Sequence, residues 1–234
     1  MDFIMASTST IYGSAYLSYL EKPLKELFGE AREILFIPFA RPGGITHDAY
    51  TAKAREGLSF LKKPVVGIHE KEDCATALKT ADAIFTGGGN TFLLVTQLYT
   101  NNCMEVLRQV IQNGTPYLGT SAGSNICGKT MMTTNDMPII YPPSFKTLGV
   151  VPFNINAHYL DPDPSSKHQG ETRETRLKEF QKINDTPVVG LREGSWLHSS
   201  NNDIILEGKL RARIFIPGKN PYEIESGTSV KSLA

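Results

Sequence analysis

Pro116-Tyr117-Leu118-Gly119-Thr120-Ser121-Ala122-Gly123-Ser124 runs an apolar strand directly into a turn of small residues. About thirty positions earlier, Ala83-Ile84-Phe85-Thr86-Gly87-Gly88-Gly89-Asn90 repeats the design: a short apolar run, a glycine turn, then a helix opening at Asn90. Working outward, Phe3–Ala6, Ile34–Ile37 and Val65–Ile68 are further apolar runs. Between them lie an amphipathic stretch with Tyr16, Leu20, Leu24 and Leu27 on one face, a helix over 46–61 and a short one over 73–79. Strands alternating with helices specify an α/β fold with a mostly parallel sheet and helices on both faces. Runs without polar alternation fit strands buried on both sides.

The last third changes character. A polar helix spans 171–183, and four short runs follow: Val188–Gly190, Ser195–Leu197, Ile204–Leu206 and Ile214–Ile216. They are expected to add strands at one edge, partly antiparallel. With 234 residues and no linker or repeat, one domain over 1–234 is the economical organisation. The polar tail 219–234 is expected to be mobile.

Charge is balanced, 24 basic against 24 acidic residues, and no basic run speaks for nucleic acid or an acidic membrane. No stretch is apolar enough to span a bilayer. Cys74, Cys103 and Cys127 match no metal or disulfide spacing. Reduced thiols and a start without signal-peptide character lead to the expectation of a cytoplasmic protein.

Gly119-Thr120-Ser121-Ala122-Gly123 fits G-x-S-x-G in the required context, a strand before the serine and a helix after it. The crowded backbone of such an elbow needs small neighbours, and the new helix aims free N–H groups at developing negative charge. The glycine loop lies at another strand end, so Gly88 or Gly89 can join Ala122 in an oxyanion hole. Its rival reading, a phosphate loop, is weakened by Phe92 at the position of the third glycine and by the absence of a P-loop lysine. For the base, the choices are His47, His69, His158, His168 and His198; His158 closes the strand-like run 153–157 and is preferred. Asp136, in a turn-rich segment, and Glu193, beyond the run ending at Leu191, are both open as its acidic partner. No metal is expected: His69-Glu70 lacks a second histidine at the right spacing, and His158 with Asp161 and Asp163 is more simply a proline-marked turn.

Six segments in order carry a resemblance: Phe36–Ala40, Gly87–Phe92, Ser121–Gly123, Thr133–Pro138, Asn154–His158 and Gly170–Glu174. Together they resemble peptidase E, the α-aspartyl dipeptidase family, from about residue 2 to residue 216. The resemblance implies a flavodoxin-like sheet related to class I glutamine amidotransferases, with serine in place of their cysteine. It implies hydrolysis of Asp-X dipeptides without a cofactor, and a triad in the order Ser121, His158, acid. It places acids at both Asp136 and Glu193; the strand-end position of Glu193 favours it, which leaves Asp136 to orient the site or bind substrate. Ala157 departs from an expected proline and is expected to loosen the loop of the base.

An aspartyl side chain in a pocket calls for a fixed cation. Arg173, after a polar 161–170 loop that is a lid candidate, leads Arg41 for that role. Asn90 is a further substrate-binding candidate, and Asp136 or Glu171 the acceptor for the substrate amine. The partner is therefore a small molecule, with a monomer or homodimer equally open. Two alternatives stand: a serine hydrolase for another aspartyl-linked substrate or ester, and a non-catalytic binding protein on the same fold.

Overall fold

The apolar runs divide their side chains between two faces, as the two-residue period of a strand requires. The computed structural model describes residues 1–165, 167 and 169–233. In chain order its elements are β1 (Phe3–Ala6), α1 (Glu21–Leu27), β2 (Ile34–Ile37), α2 (His47–Gly57), β3 (Val65–Gly67), α3 (Cys74–Lys79), β4 (Ile84–Thr86), α4 (Thr91–Thr100), α5 (Met104–Gln112), β5 (Tyr117–Thr120) and α6 (Ala122–Asn125). Then follow β6 (Asn154–Ala157), α7 (Arg173–Ile183), β7 (Val188–Leu191), β8 (Ser195–Ser200), β9 (Asp203–Gly208), β10 (Ala212–Phe215) and β11 (Tyr222–Ile224). On one face Ile4, Ile34, Phe36 and Phe85 pack with Leu20, Leu24, Tyr50 and Ala54 from the α1 and α2 regions. On the other, Phe3, Leu35, Ile84 and Tyr117 pack with Leu78, Leu94, Leu98 and Leu107 from α3, α4 and α5.

The large sheet has the order β3-β2-β4-β5-β1-β8-β9. Its first five strands are parallel, while β8 and β9 add on antiparallel. The β3-β2-β4-β5 stretch reproduces the first four places of the flavodoxin order 2-1-3-4-5, and β1 fills the fifth. Where the glycine loop leads into one expected helix, there are two. Asn102, at φ 54°, turns the chain between α4 and α5, a conformation Asn tolerates better than most residues.

Two expectations for the last third are corrected. The late strands do not all join one edge: β7, β10 and β11 build a second sheet, order β11-β10-β7-β6, in which β6 and β7 are parallel. Both faces of a sheet edge look alike in an apolar run, so pattern alone could not separate the two sheets. Ile155, Val189, Ala212 and Ile214 from this sheet share a cluster with Phe3 and Met5 of the first. The polar tail is fastened rather than loose. Its β11 pairs with β10, Ser229 bridges to Ile205, and Val230 and Leu233 are buried in the same cluster. Two well-placed apolar side chains suffice to anchor a segment whose average composition is polar. No helix among the described residues is long and apolar enough to cross a membrane.

Candidate active site

Parallel strands deliver their carboxyl ends to one side of a sheet, and here two sheets deliver them to one cleft. Ser7 follows β1, Gly87–Gly89 follow β4, Ser121 follows β5, His158 follows β6 and Glu193 lies two residues beyond β7. The seam between the sheets is made by Ser7, which is fully buried. The His158 N–H donates to Ser7 Oγ at 2.9 Å, and Ser7 Oγ–H donates to the Leu191 carbonyl at 2.6 Å.

Ser121 stands at φ 53°, ψ −110° between β5 and α6, the strained elbow that small neighbours permit. Its N–H is held by the Ala6 carbonyl at 3.0 Å. Its hydroxyl lies 2.8 Å from His158 Nε2, and His158 Nδ1 lies 2.6 Å from Glu193 Oε1. A carboxylate at Nδ1 holds the proton there, so Nε2 is the acceptor for the serine hydroxyl. Three groups far apart in the chain thus form one hydrogen-bonded line, still partly open to solvent.

The glycine loop closes on this line. An added Cβ at Gly88 would sit 2.9 Å from Ser121 Cβ, and one at Gly89, whose φ is +147°, would strike the Ala40 carbonyl at 2.2 Å. Glycine is required at both places for close approach. The Gly88 carbonyl accepts the Tyr50 hydroxyl at 2.9 Å, which turns that peptide in a fixed sense. The N–H groups of Gly88, Gly89 and Ala122 meet no acceptor among the described residues.

Of the two candidate acids, only Glu193 contacts His158. Asp136 Oδ2 accepts the Thr91 N–H at 2.7 Å, at the start of α4, and the Thr134 hydroxyl at 2.8 Å. Asn90 is likewise occupied: it caps α4 through the Leu93 N–H at 3.1 Å and donates to the Met137 carbonyl at 2.8 Å. It builds the wall of the site rather than offering a free amide. Glu171 is turned outward, 3.8 Å from Arg176. Arg173 is half-buried at the start of α7 and donates to the His158 carbonyl. Burial and the neighbouring Arg176 hold its pKa below the ordinary guanidinium value, and among the described residues no carboxylate pairs with it. Arg41 lies over the Tyr50 ring, 5.0 Å from its centroid.

The loop of the base is not loosened by Ala157. Its N–H, which proline would lack, donates to Asn125 Oδ1 at 3.2 Å, and its carbonyl accepts Asn135 Nδ2 at 2.8 Å. Asn156 continues the network to Thr133 and Asn135. Sequence reasoning did not single out Ser7, Asn125, Asn135 or Asn156; the one signal for Ser7 was its place directly after an apolar strand. Of the other histidines, His47 and His69 stack 5.3 Å apart beside Phe39, and His198 pairs with Asp2 at 3.0 Å. His168 falls outside the described residues, as does part of the proposed lid. Among the described residues no three His, Cys, Asp or Glu side chains converge as a metal site.

The model of Peptidase family S51 matches residues 3–207. Peptidase E of Streptomyces coelicolor is 45% identical over 233 residues, covering 100% of this chain and 95% of that protein. A probable alpha-aspartyl dipeptidase of Drosophila melanogaster is 44% identical over 217 residues, covering 92% of this chain and 89% of the other. Among solved structures, a putative peptidase E protein from Listeria monocytogenes superimposes with a TM-score of 0.67 at 19% identity, covering 89% of this chain and 98% of that one. A peptidase from an acI-B1 actinobacterium gives the same TM-score at 16% identity, with 98% and 96% covered. With that model matching residues 3–207 and a relative 45% identical over 233 residues, the chain belongs to peptidase family S51.

Proposed function

We infer that the protein is a serine-type dipeptidase that hydrolyses dipeptides beginning with aspartate. The observation that carries the chemistry is the Ser121–His158–Glu193 line at 2.8 and 2.6 Å. The substrate class is supported by relatives named as peptidase E and alpha-aspartyl dipeptidase. It is supported independently by Arg173, a half-buried guanidinium beside the base that forms no direct ion pair among the described residues. A half-buried guanidinium with no direct ion pair is suited to receive a ligand carboxylate. Arg173 is the reading's clamp for the aspartyl side chain.

The mechanism follows from the geometry. His158 Nε2 takes the Ser121 proton as Oγ attacks the scissile carbonyl, and Glu193 stabilises the imidazolium. The N–H groups of Ala122 and of Gly88 or Gly89 receive the oxyanion. His158 protonates the departing amine, and water then cleaves the aspartyl-enzyme by the reverse sequence. Ser121→Ala should reduce Asp-X hydrolysis by about 10⁴-fold or more while the circular dichroism spectrum stays that of the parent. Retained turnover in that variant, or equal rates on Asp-X, Glu-X, Ala-X and ester substrates in the parent, would remove the reading.

A further inference from the structure

A dipeptidase must recognise the free carboxylate of the residue it releases, and Arg173 is assigned to the other end of the substrate. A second cation, Arg41, borders the glycine loop. Asn90 N–H donates to the Ala40 carbonyl at 2.7 Å, so the chain at Arg41 is tied to the oxyanion loop. Arg41 lies over the Tyr50 ring, 5.0 Å from its centroid, and the Tyr50 hydroxyl donates to the Gly88 carbonyl. Gly88 in turn directs its missing Cβ at Ser121. Arg41 is therefore linked through the Tyr50 ring to the peptide that abuts the nucleophile. Among the described residues it has no carboxylate within ion-pair distance, unlike Arg32, Arg55, Arg108, Arg192, Arg211 and Arg213.

Beside it runs a groove of about 360 Å³ lined by Phe39, Arg41, His47, Leu93, Ile139 and Ile140. Its apolar walls and one cation suit a single amino acid with a carboxylate at one end. We propose that Arg41 clamps the α-carboxylate of the leaving residue, and that the groove beside it receives that residue's side chain. The carboxylate of a dipeptide lies only a few bonds beyond the scissile carbon, on the side away from the aspartyl group. A third residue would replace that anion by a neutral peptide, so the same arginine sets the preference for dipeptides over longer chains.

This proposal rests on the Asp-X reading, and the experiment separates the two. The kcat/KM ratio of Asp-Leu to Asp-leucinamide, which differs only in that carboxylate, is measured in the parent, in Arg41→Met and in Arg41→Lys. In the parent the ratio should be about 10 to 100, the worth of a charge-assisted pair. In Arg41→Met it should fall to near 1, through KM, with Arg41→Lys between the two because a point charge replaces the fork. A parent that cleaves neither compound refutes the dipeptidase reading. A parent that cleaves both at equal efficiency refutes a carboxylate clamp, and a high ratio that survives in Arg41→Met refutes Arg41 as that clamp. Should Arg41→Met fold poorly, as judged by thermal melting, Arg41→Gln carries the same comparison.

Discussion

Glu193 and Asp136 show what a single residue's neighbours decide. Both are acids that could serve the base, yet one touches the imidazole and the other bonds the start of a helix. Glu193→Gln should lower kcat/KM by up to about 10⁴-fold, since the amide no longer fixes the tautomer or the imidazolium charge. Asp136→Asn keeps an acceptor for Thr91 and should cost less; side-by-side kinetics of the two variants check the order. Gly88→Ala would place a methyl 2.9 Å from Ser121 Cβ. A displaced nucleophile should cost about 10²-fold or more, visible as lost turnover in a protein that still folds. At this scale the serine and histidine were legible because each closes an apolar run. The partner of His158 was legible as a choice between two acids, tipped to Glu193 by its strand-end position, because a side chain's direction leaves no periodic trace.

Elements position these residues through the seam between sheets. Ser7→Ala leaves the His158 N–H without its partner and the Leu191 carbonyl with the Tyr159 N–H alone. It should destabilise the fold by about 1–3 kcal/mol, read by denaturant melts, and should lower kcat because the base loses its anchor. Arg192 joins β7 to the loop after the base through Asp161 at 2.7 Å and to β11 through Glu223 at 2.8 Å. Its hydrogen bonds depress the Asp161 pKa below the ordinary carboxylate value. A carboxyl whose folded pKa is depressed contributes stability above its unfolded pKa, near 3.9, and loses it as the pH falls through the folded value. The stability gap between parent and Arg192→Met should therefore be present at neutral pH and shrink below about pH 4. Every strand but β11, and most helices, could be placed from strand-like runs and their breaks. The split of one expected helix at Asn102 could not, because a single left-handed asparagine hardly alters composition.

Across the whole molecule, the hardest feature to read in advance was which strands share a sheet. Periodicity is local, whereas the pairing of β6 with β7 and the docking of the tail depend on contacts between distant segments. Removing 219–234 would delete β11 and uncover the sites of Val230 and Leu233. Loss of two buried side chains, each worth about 1.5–3 kcal/mol, should lower the melting temperature by at least about 5 °C, as calorimetry would show.

The place of β1 has a consequence for how the chain is made. Phe3 is flanked by Tyr117 on one side and Ser199 on the other, so neither neighbour exists while the early helices are being synthesised. Until β5 leaves the ribosome, the stretch Phe3-Ile4-Met5-Ala6 is an adhesive ribbon with no mate. Such delayed, long-range closure slows folding and exposes the nascent chain to aggregation. Expression of this enzyme at high rates should accordingly be more sensitive to chaperone supply than its balanced surface charge would suggest.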